Sequence, residues 1–166
     1  PRLRLLDFEQ QPADRIDVFL CTLGTTRKQS GAEGLAWVDR DLVVRCAARA
    51  KDLGARSAVV LSAVGANAHS PFLYNRLKGE MQQQLSSMGF ERLVFVQPSV
   101  LLGQRSSPRP LEQWAGRWLA HPCFGRYQAL PATQVAEAMW RSAEDFTAGQ
   151  FELSVAEIQQ LNSNKE

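Results

Sequence analysis

The distribution of apolar and polar positions divides the chain into short apolar runs separated by amphipathic stretches. The runs "LRLLDF" (3–8), "IDVFLCTLG" (16–24), "SAVVLSA" (57–63) and "RLVFVQPSVLLG" (92–103) each predict a β-strand. "IDVFLCTLG" and "SAVVLSA" are nearly continuous in apolar residues rather than alternating. Continuous hydrophobicity is typical of strands that are covered on both faces, as in a parallel sheet.

Between these runs, apolar residues recur at spacings of three and four, first over 35–53 and then over 73–88. This periodicity predicts two amphipathic helices, which end at Gly54 and Gly89. Alternation of strand and helix is the pattern of βαβ crossovers. We therefore predict an α/β doubly wound domain, a parallel sheet with helices on both faces. Further helices are expected over 111–120 and 133–146, a strand over 150–155, and a frayed tail "NSNKE".

Composition narrows the class of protein. The 166 residues are 45% hydrophobic and 22% charged with a net charge of +2, which fits one globular domain over 1–166. The sequence contains no cluster of Lys and Arg of the kind that forms a nucleic-acid-binding surface. No apolar stretch approaches the ~20 residues of a membrane helix. Without a signal-peptide pattern, we expect a cytoplasmic protein. Three isolated cysteines and two histidines predict no metal site.

Candidate chemistry lies in "VVLSAVGANAHSPFLYNRLKGEM" (59–81). Ser62 follows a predicted strand, and ligands of open α/β sheets bind beyond the carboxyl ends of strands. Tyr74 and Lys78 are four residues apart, so a helix that begins near residue 71 would present both on one face. The three side chains could then meet in one crevice.

These residue types suit proton transfer. A tyrosine hydroxyl has a pKa of about 10, and an ammonium roughly 5 Å away would favour tyrosinate by about 3 kcal/mol. Tyr74 could then act as an acid or base while Ser62 holds a substrate oxygen. The alternative is structural: Ser62 ends a strand, Tyr74 begins a helix and Lys78 is a solvated charge.

The spacing of Ser62, Tyr74 and Lys78 resembles the active-site pattern of the short-chain dehydrogenase/reductase superfamily. The sequence is most similar to an atypical branch, the Tat-interacting-protein-like oxidoreductases and their bacterial relatives. The similarity lies in "CTLGTTRKQSGAEG" (21–34), "VDRDLV" (38–43), "LSAVGA" (61–66), "FLYNRLKGE" (72–80) and "QPSVLLGQR" (97–105).

The resemblance implies a Rossmann-like fold and an oxidoreductase that transfers a hydride between NADP(H) or NAD(H) and a small carbonyl or alcohol. Ser62, Tyr74 and Lys78 would be the catalytic residues, and 103–131 would form the substrate side. The cofactor would contact Tyr74 and Lys78 together with four further residues, Leu23, Gly24, Pro98 and Val100. Without the resemblance, "CTLGTT" is equally well a turn after a strand, and Pro98 a strand stop.

One motif of the superfamily is absent, the Gly-x-x-Gly-x-x-Gly turn that binds the pyrophosphate near the N-terminus. Two explanations stand: the chain is part of a longer protein and lacks the N-terminal βα units, or the protein truly lacks them. The second favours another function, a non-catalytic NAD(P)-binding or regulatory protein with protein partners. A homodimer is expected only from the general frequency of dimers.

Overall fold

The computed structural model describes residues 15–102 and 122–163. In this part of the chain four strands form a parallel sheet in the order β1-β2-β3-β6. They are β1 (Val18–Cys21), β2 (Ser57–Leu61), β3 (Arg92–Val96) and β6 (Gly149–Leu153). Two further strands, β4 (Leu101–Leu102) and β5 (Leu130–Pro131), pair with each other in parallel.

Helices cover both faces of the sheet. They are α1 (Arg27–Ala36), a π-helix (Trp37–Leu42), α2 (Val43–Asp52), α3 (Leu73–Ser86), a 3-10 helix (Pro122–Tyr127), α4 (Ala132–Glu144) and α5 (Val155–Ser163). No helix of the described ranges is long and apolar enough to cross a membrane. The predicted doubly wound parallel sheet is confirmed.

The sheet separates two apolar clusters, because successive residues of a strand point to opposite faces. On one face Val60 and Phe95 pack with α2 and α3, whose contributions include Cys46 and Met81. On the other face the strands pack with β5, α4 and α5. The members of this second cluster are Val59, Val94, Val96, Leu130, Val135, Ala138, Met139, Val155 and Ile158.

Several predicted boundaries are wrong. The strand expected over 16–24 covers Val18–Cys21, and the run 92–103 contains two separate strands. Pro98 explains that break, since proline cannot donate a ladder hydrogen bond. The helix expected over 35–53 is a succession of α, π and α segments that begins at Arg27. Part of the tail "NSNKE" is also ordered, because α5 continues to Ser163.

Other predictions concern residues that the structure leaves undescribed. The strand predicted over 3–8 and the helix predicted over 111–120 lie outside the described residues. Of the region 103–131, the described part comprises the 3-10 helix and β5 with the residues between them.

Helix α3 approaches the loop after β2 very closely, and Gly79 makes the approach possible. A Cβ atom at this position would overlap the backbone of Asn67 and Ala68. Asn75 fastens the same loop: its Nδ2 donates to the Gly65 carbonyl at 2.8 Å, and its carbonyl accepts the Asn67 N–H at 2.9 Å. The loop that connects Ser62 to Tyr74 is therefore fixed against the helix.

We predict that Gly79→Ala destabilises the fold by ~2 kcal/mol or more, although alanine is the better helix former by about 1 kcal/mol. Destabilisation is expected because the added Cβ atom would overlap backbone atoms of the loop, which cannot move aside as a flexible side chain could. The free energy of unfolding in urea measures this. Gln83→Ala, at an exposed position of the same helix, is the control and should change stability by less than ~1 kcal/mol.

Candidate active site

Ser62 lies directly after β2, at the carboxyl edge of the sheet. Its backbone N–H donates to the Val96 carbonyl at 2.7 Å, and the residue is 3% exposed. Gln82 of α3 donates from Nε2 to Ser62 Oγ at 2.9 Å. Because a hydroxyl can accept and donate at once, Ser62 keeps its own proton for a second partner.

Lys78 is buried beside Ser62 rather than solvated. It is 2% exposed, and its Nζ donates to the Leu61 carbonyl at 3.3 Å. The structural alternative of a solvated surface charge is therefore wrong for Lys78. Ser62 and Lys78 are held in one region, since Leu61 precedes Ser62 in the chain and Gln82 follows Lys78 by one helical turn.

The counter-ion of Lys78 is Asp39, in the middle of the π-helix. Asp39 is 1% exposed, and its Oδ1 lies 3.0 Å from Lys78 Nζ. The other carboxylate oxygen, Oδ2, accepts the backbone N–H of Thr25 at 2.9 Å. A Cβ atom on Gly24 would lie 3.3 Å from Asp39 Oδ1. Asp39 thus connects the turn after β1 to the buried ammonium.

Tyr74 occupies the first turn of α3, which begins at Leu73 rather than near residue 71. Tyr74 is 41% exposed, yet its pKa is raised to about 12. Desolvation is the main cause, and the Asp39 carboxylate adds to it because it opposes a second negative charge. The pKa of Tyr74 is thus raised, whereas the sequence predicted that Lys78 would lower it, and the Lys78 ammonium is paired with Asp39.

The four residues expected to meet only the cofactor lie along the same edge of the sheet. Leu23 and Gly24 follow β1 and are exposed. Pro98 is buried after β3 and accepts the Val64 N–H at 3.0 Å. Val100 is 40% exposed, and its carbonyl accepts the Leu130 N–H at 3.0 Å. Their position suits a ligand at this edge, and their roles remain predictions.

The sequence interpretation missed Asp39 and Gln82. A signal for Asp39 was present: it lies four residues after Leu35 and four before Val43, on the face that packs against the core. A carboxylate in an apolar stripe needs a buried partner. Gln82 follows Lys78 by four residues, and that spacing places it on the face of α3 that carries the candidate side chains.

Comparisons with solved structures identify the class of fold. MoeE5 in complex with UDP-glucose and NAD aligns with 92% of this chain and 63% of its own, at a TM-score of 0.63 and 10% identity. The Bordetella bronchiseptica enzyme WbmG in complex with NAD covers 86% of this chain and 53% of its own, at a TM-score of 0.57 and 16% identity. The chain therefore has a Rossmann-like fold.

Curated relatives identify the family. Protein HTATIP2 of Rattus norvegicus is 39% identical over 144 residues, which are 82% of this chain and 57% of the rat protein. The mitochondrial protein FMP52 of Eremothecium gossypii is 43% identical over 100 residues, 60% of this chain and 44% of FMP52. These relatives confirm the resemblance to the atypical short-chain dehydrogenase/reductase superfamily that the sequence motifs predict. The chain spans about half the length of these relatives, and no family model matches it.

The same relatives correct one prediction. The FMP52 proteins of Eremothecium gossypii, Emericella nidulans and Candida albicans are all named as mitochondrial. The expectation of a cytoplasmic protein, which rested on the lack of a signal-peptide pattern, is contradicted by these names and is wrong as stated.

We predict that Tyr74 makes the fold less stable at alkaline pH. Below pH 10 the Tyr74 phenol is protonated in both the folded and the unfolded state, so it does not make the free energy of unfolding depend on pH there. Between pH 10 and about 12 the unfolded chain loses the proton while the folded chain keeps it, so the free energy of unfolding falls. Urea unfolding across this range measures the fall.

Tyr74→Phe removes the ionisable hydroxyl and should flatten this part of the pH profile. Tyr127→Phe, which retains Tyr74, is the matched comparison and should retain the fall that Tyr74 causes. Identical profiles for Tyr74→Phe and the wild type would contradict the prediction.

Proposed function

We propose that the protein is an NAD(P)-dependent oxidoreductase that transfers a hydride between NADP(H) or NAD(H) and a small carbonyl or alcohol. The observation that carries the proposal is the convergence of Ser62 and Lys78 at the carboxyl edge, through their contacts with Gln82 and Leu61. Tyr74 lies in the first turn of the same helix as Lys78. The family assignment supports the proposal, and the NAD in the complexes of MoeE5 and WbmG supports the cofactor class.

The residues at this edge fit the nicotinamide half of such a cofactor. Gly24 leaves the turn after β1 without a side chain, so a ligand can approach the backbone there. Leu23 and Val100 offer exposed apolar surface, and Lys78 supplies a donor for a ribose hydroxyl. The glycine-rich motif that would bind the pyrophosphate is absent from this sequence.

Each candidate residue has one task in this proposal. Ser62, whose oxygen already accepts from Gln82, donates its proton to the substrate oxygen. Tyr74 gives or takes the proton of that oxygen. Lys78 orients the ribose, and its remaining hydrogen bonds to Leu61 and Asp39 hold it in place. When bound, the cofactor supplies or accepts the hydride.

One observation favours the alternative of a non-catalytic NAD(P)-binding or regulatory protein. The raised pKa of Tyr74 makes its hydroxyl a weak acid at neutral pH, and a protein that only binds its ligand needs no activated tyrosine. In that case the protein would bind NADPH without turnover. A protein partner or a homodimer remains a prediction from the sequence in both readings.

We predict that NADPH raises the melting temperature of the protein and that Lys78→Met abolishes most of this increase. A ligand at a hundred times its dissociation constant adds about 2.7 kcal/mol, which corresponds to several degrees for a domain of this size. Scanning fluorimetry with millimolar NADPH measures the increase. Lys51→Met is the matched control, because Lys51 lies on α2 and donates to the Gly89 carbonyl.

An equal increase for wild type and Lys78→Met would contradict the assignment of Lys78 to the cofactor. Because removal of Lys78 leaves Asp39 unpaired, the melting temperature of each variant without NADPH is the reference for its own shift.

For the reaction itself, we predict that Tyr74→Phe lowers kcat for the reduction of 4-nitrobenzaldehyde by NADPH by ~10²-fold or more, since general acid catalysis contributes about that much. Oxidation of NADPH, followed by its absorbance, measures the rate. A Tyr74→Phe variant that binds NADPH normally and turns over at the wild-type rate would refute the role of Tyr74. Binding without turnover in the wild type would favour the regulatory alternative.

A further inference from the structure

The side chain of Gln82 contacts Ser62 from the inner face of α3. Gln82 Nε2 lies 2.9 Å from Ser62 Oγ, and the two residues are 9% and 3% exposed. The contact joins α3 to the end of β2, across 20 positions of the chain. Two polar side chains in so buried a place are stable only as hydrogen-bond partners. Which of the two donates decides what Ser62 can offer to a ligand.

The position of Gln82 follows from the close approach of α3 to the loop after β2. Gly79 lies almost one turn before Gln82, and a Cβ atom there would overlap the backbone of Asn67 and Ala68. Residues three apart share a face of a helix. The approach that Gly79 permits therefore also brings Gln82 against the chain next to Ser62. Gln82 reaches Ser62 from a packed position rather than from solvent.

The two ends of the Gln82 amide lie in different surroundings. Nε2 donates to Ser62 Oγ, whereas Oε1 makes no hydrogen bond to a residue in the part of the chain that the structure describes. Within that part, only Asn162 has a buried side-chain polar atom without a partner, so Gln82 Oε1 is accessible to water. Access is through a groove of about 410 Å³ between α3 and β6, which Gln82 lines together with Glu152. The amide thereby presents a donor to Ser62 and an acceptor to solvent.

This polarity fixes the direction of the Ser62 hydroxyl. A serine hydroxyl has two lone pairs and one proton. Gln82 occupies one lone pair, and no acceptor for the proton is found among the described residues. The hydroxyl can then turn its proton towards a ligand at the carboxyl edge of the sheet. With the amide reversed, Ser62 would donate to Gln82 Oε1, and its proton would be occupied.

We propose that Gln82 is a positioning residue, whose amide donates to Ser62 and thereby keeps the Ser62 hydroxyl as a hydrogen-bond donor for the substrate oxygen. This inference rests on the proposed function and deepens it. The ligand atom that faces Ser62 must be an acceptor, as the oxygen of a carbonyl or an alcohol is. Gln82 acts only through Ser62.

The first experiment tests the hydrogen bond and needs no turnover. We expect one Nε2 proton of Gln82, followed by nuclear magnetic resonance, to exchange with solvent ~10-fold more slowly in the wild type than in Ser62→Ala, which removes the acceptor. Gln83, the exposed neighbour on the same helix, is the control, and its side-chain amide should exchange equally in both proteins. Equal rates for Gln82 in both proteins would overturn the inference, because Gln82 would then not donate to Ser62.

Kinetics test the consequence for Ser62. Gln82→Met removes donor and acceptor at similar size and lets the Ser62 hydroxyl rotate, so kcat for 4-nitrobenzaldehyde with NADPH should fall by less than ~10-fold. Gln82→Glu introduces a carboxylate that only accepts, so the Ser62 proton turns away from the substrate and kcat at pH 8 should fall by ~10²-fold or more. A merely structural role predicts the opposite order, because Gln82→Met retains no hydrogen bond to Ser62 and Gln82→Glu retains one.

Acidification provides a readout that a structural role would not move. Protonation of the introduced carboxyl restores a donor, so Gln82→Glu should recover activity relative to the wild type as the pH falls towards the glutamate pKa of about 4.3, which burial raises. The charged groups around this position are Lys78, its partner Asp39 on the π-helix, and Glu152 across the groove, and all three are unchanged in the variant. Gln83→Glu adds the same charge at the exposed position and should follow the wild type at every pH.

Wild-type activity of Gln82→Glu at pH 8 would overturn the inference. Should that variant fail to fold, amide exchange in the wild type and Ser62→Ala decides. Absence of turnover in the wild type would refute the proposed function and with it the role towards a substrate, whereas amide exchange would still report whether Gln82 donates to Ser62.

Discussion

The candidate site depends on one interaction, the buried ion pair of Asp39 and Lys78. Removing two charges from water costs several kcal/mol for each ion, so such a pair persists only where further hydrogen bonds complete it. Here the Thr25 N–H and the Leu61 carbonyl do so. The pair joins the turn after β1, the π-helix, the end of β2 and α3, and it thereby fixes the elements that surround any bound ligand.

The second constraint is steric. The absence of a side chain at Gly79 lets α3 lie against the loop that follows Ser62, and Asn75 ties that loop to the first turn of the helix. Ser62 and Tyr74 are twelve residues apart in the chain, yet this packing leaves little freedom in the segment between them. Preorganisation of this kind is what a site for proton transfer requires, since small displacements of reacting groups slow reactions strongly.

The pair also gives this site an electrostatic character that its residue types alone do not imply. Tyrosine and lysine one turn apart suggest an activated phenol, whereas here the Lys78 ammonium is paired with Asp39 and burial raises the pKa of Tyr74. The chain, which spans about half the length of rat HTATIP2, contains these groups together with the residues that we propose for contact with a cofactor.

The sequence by itself determined the parallel sheet, the main helices and the positions of Ser62, Tyr74 and Lys78, because hydrophobic periodicity and short spacings are local properties of the chain. It determined the family as well, since several short motifs agree with it jointly. Tertiary structure alone decided that Asp39, 39 positions before Lys78 in the chain, is its partner. It also decided that Gln82 binds Ser62 and that the phenol of Tyr74 is harder rather than easier to ionise. Burial and charge pairing depend on which distant segments pack together, and no local pattern specifies that.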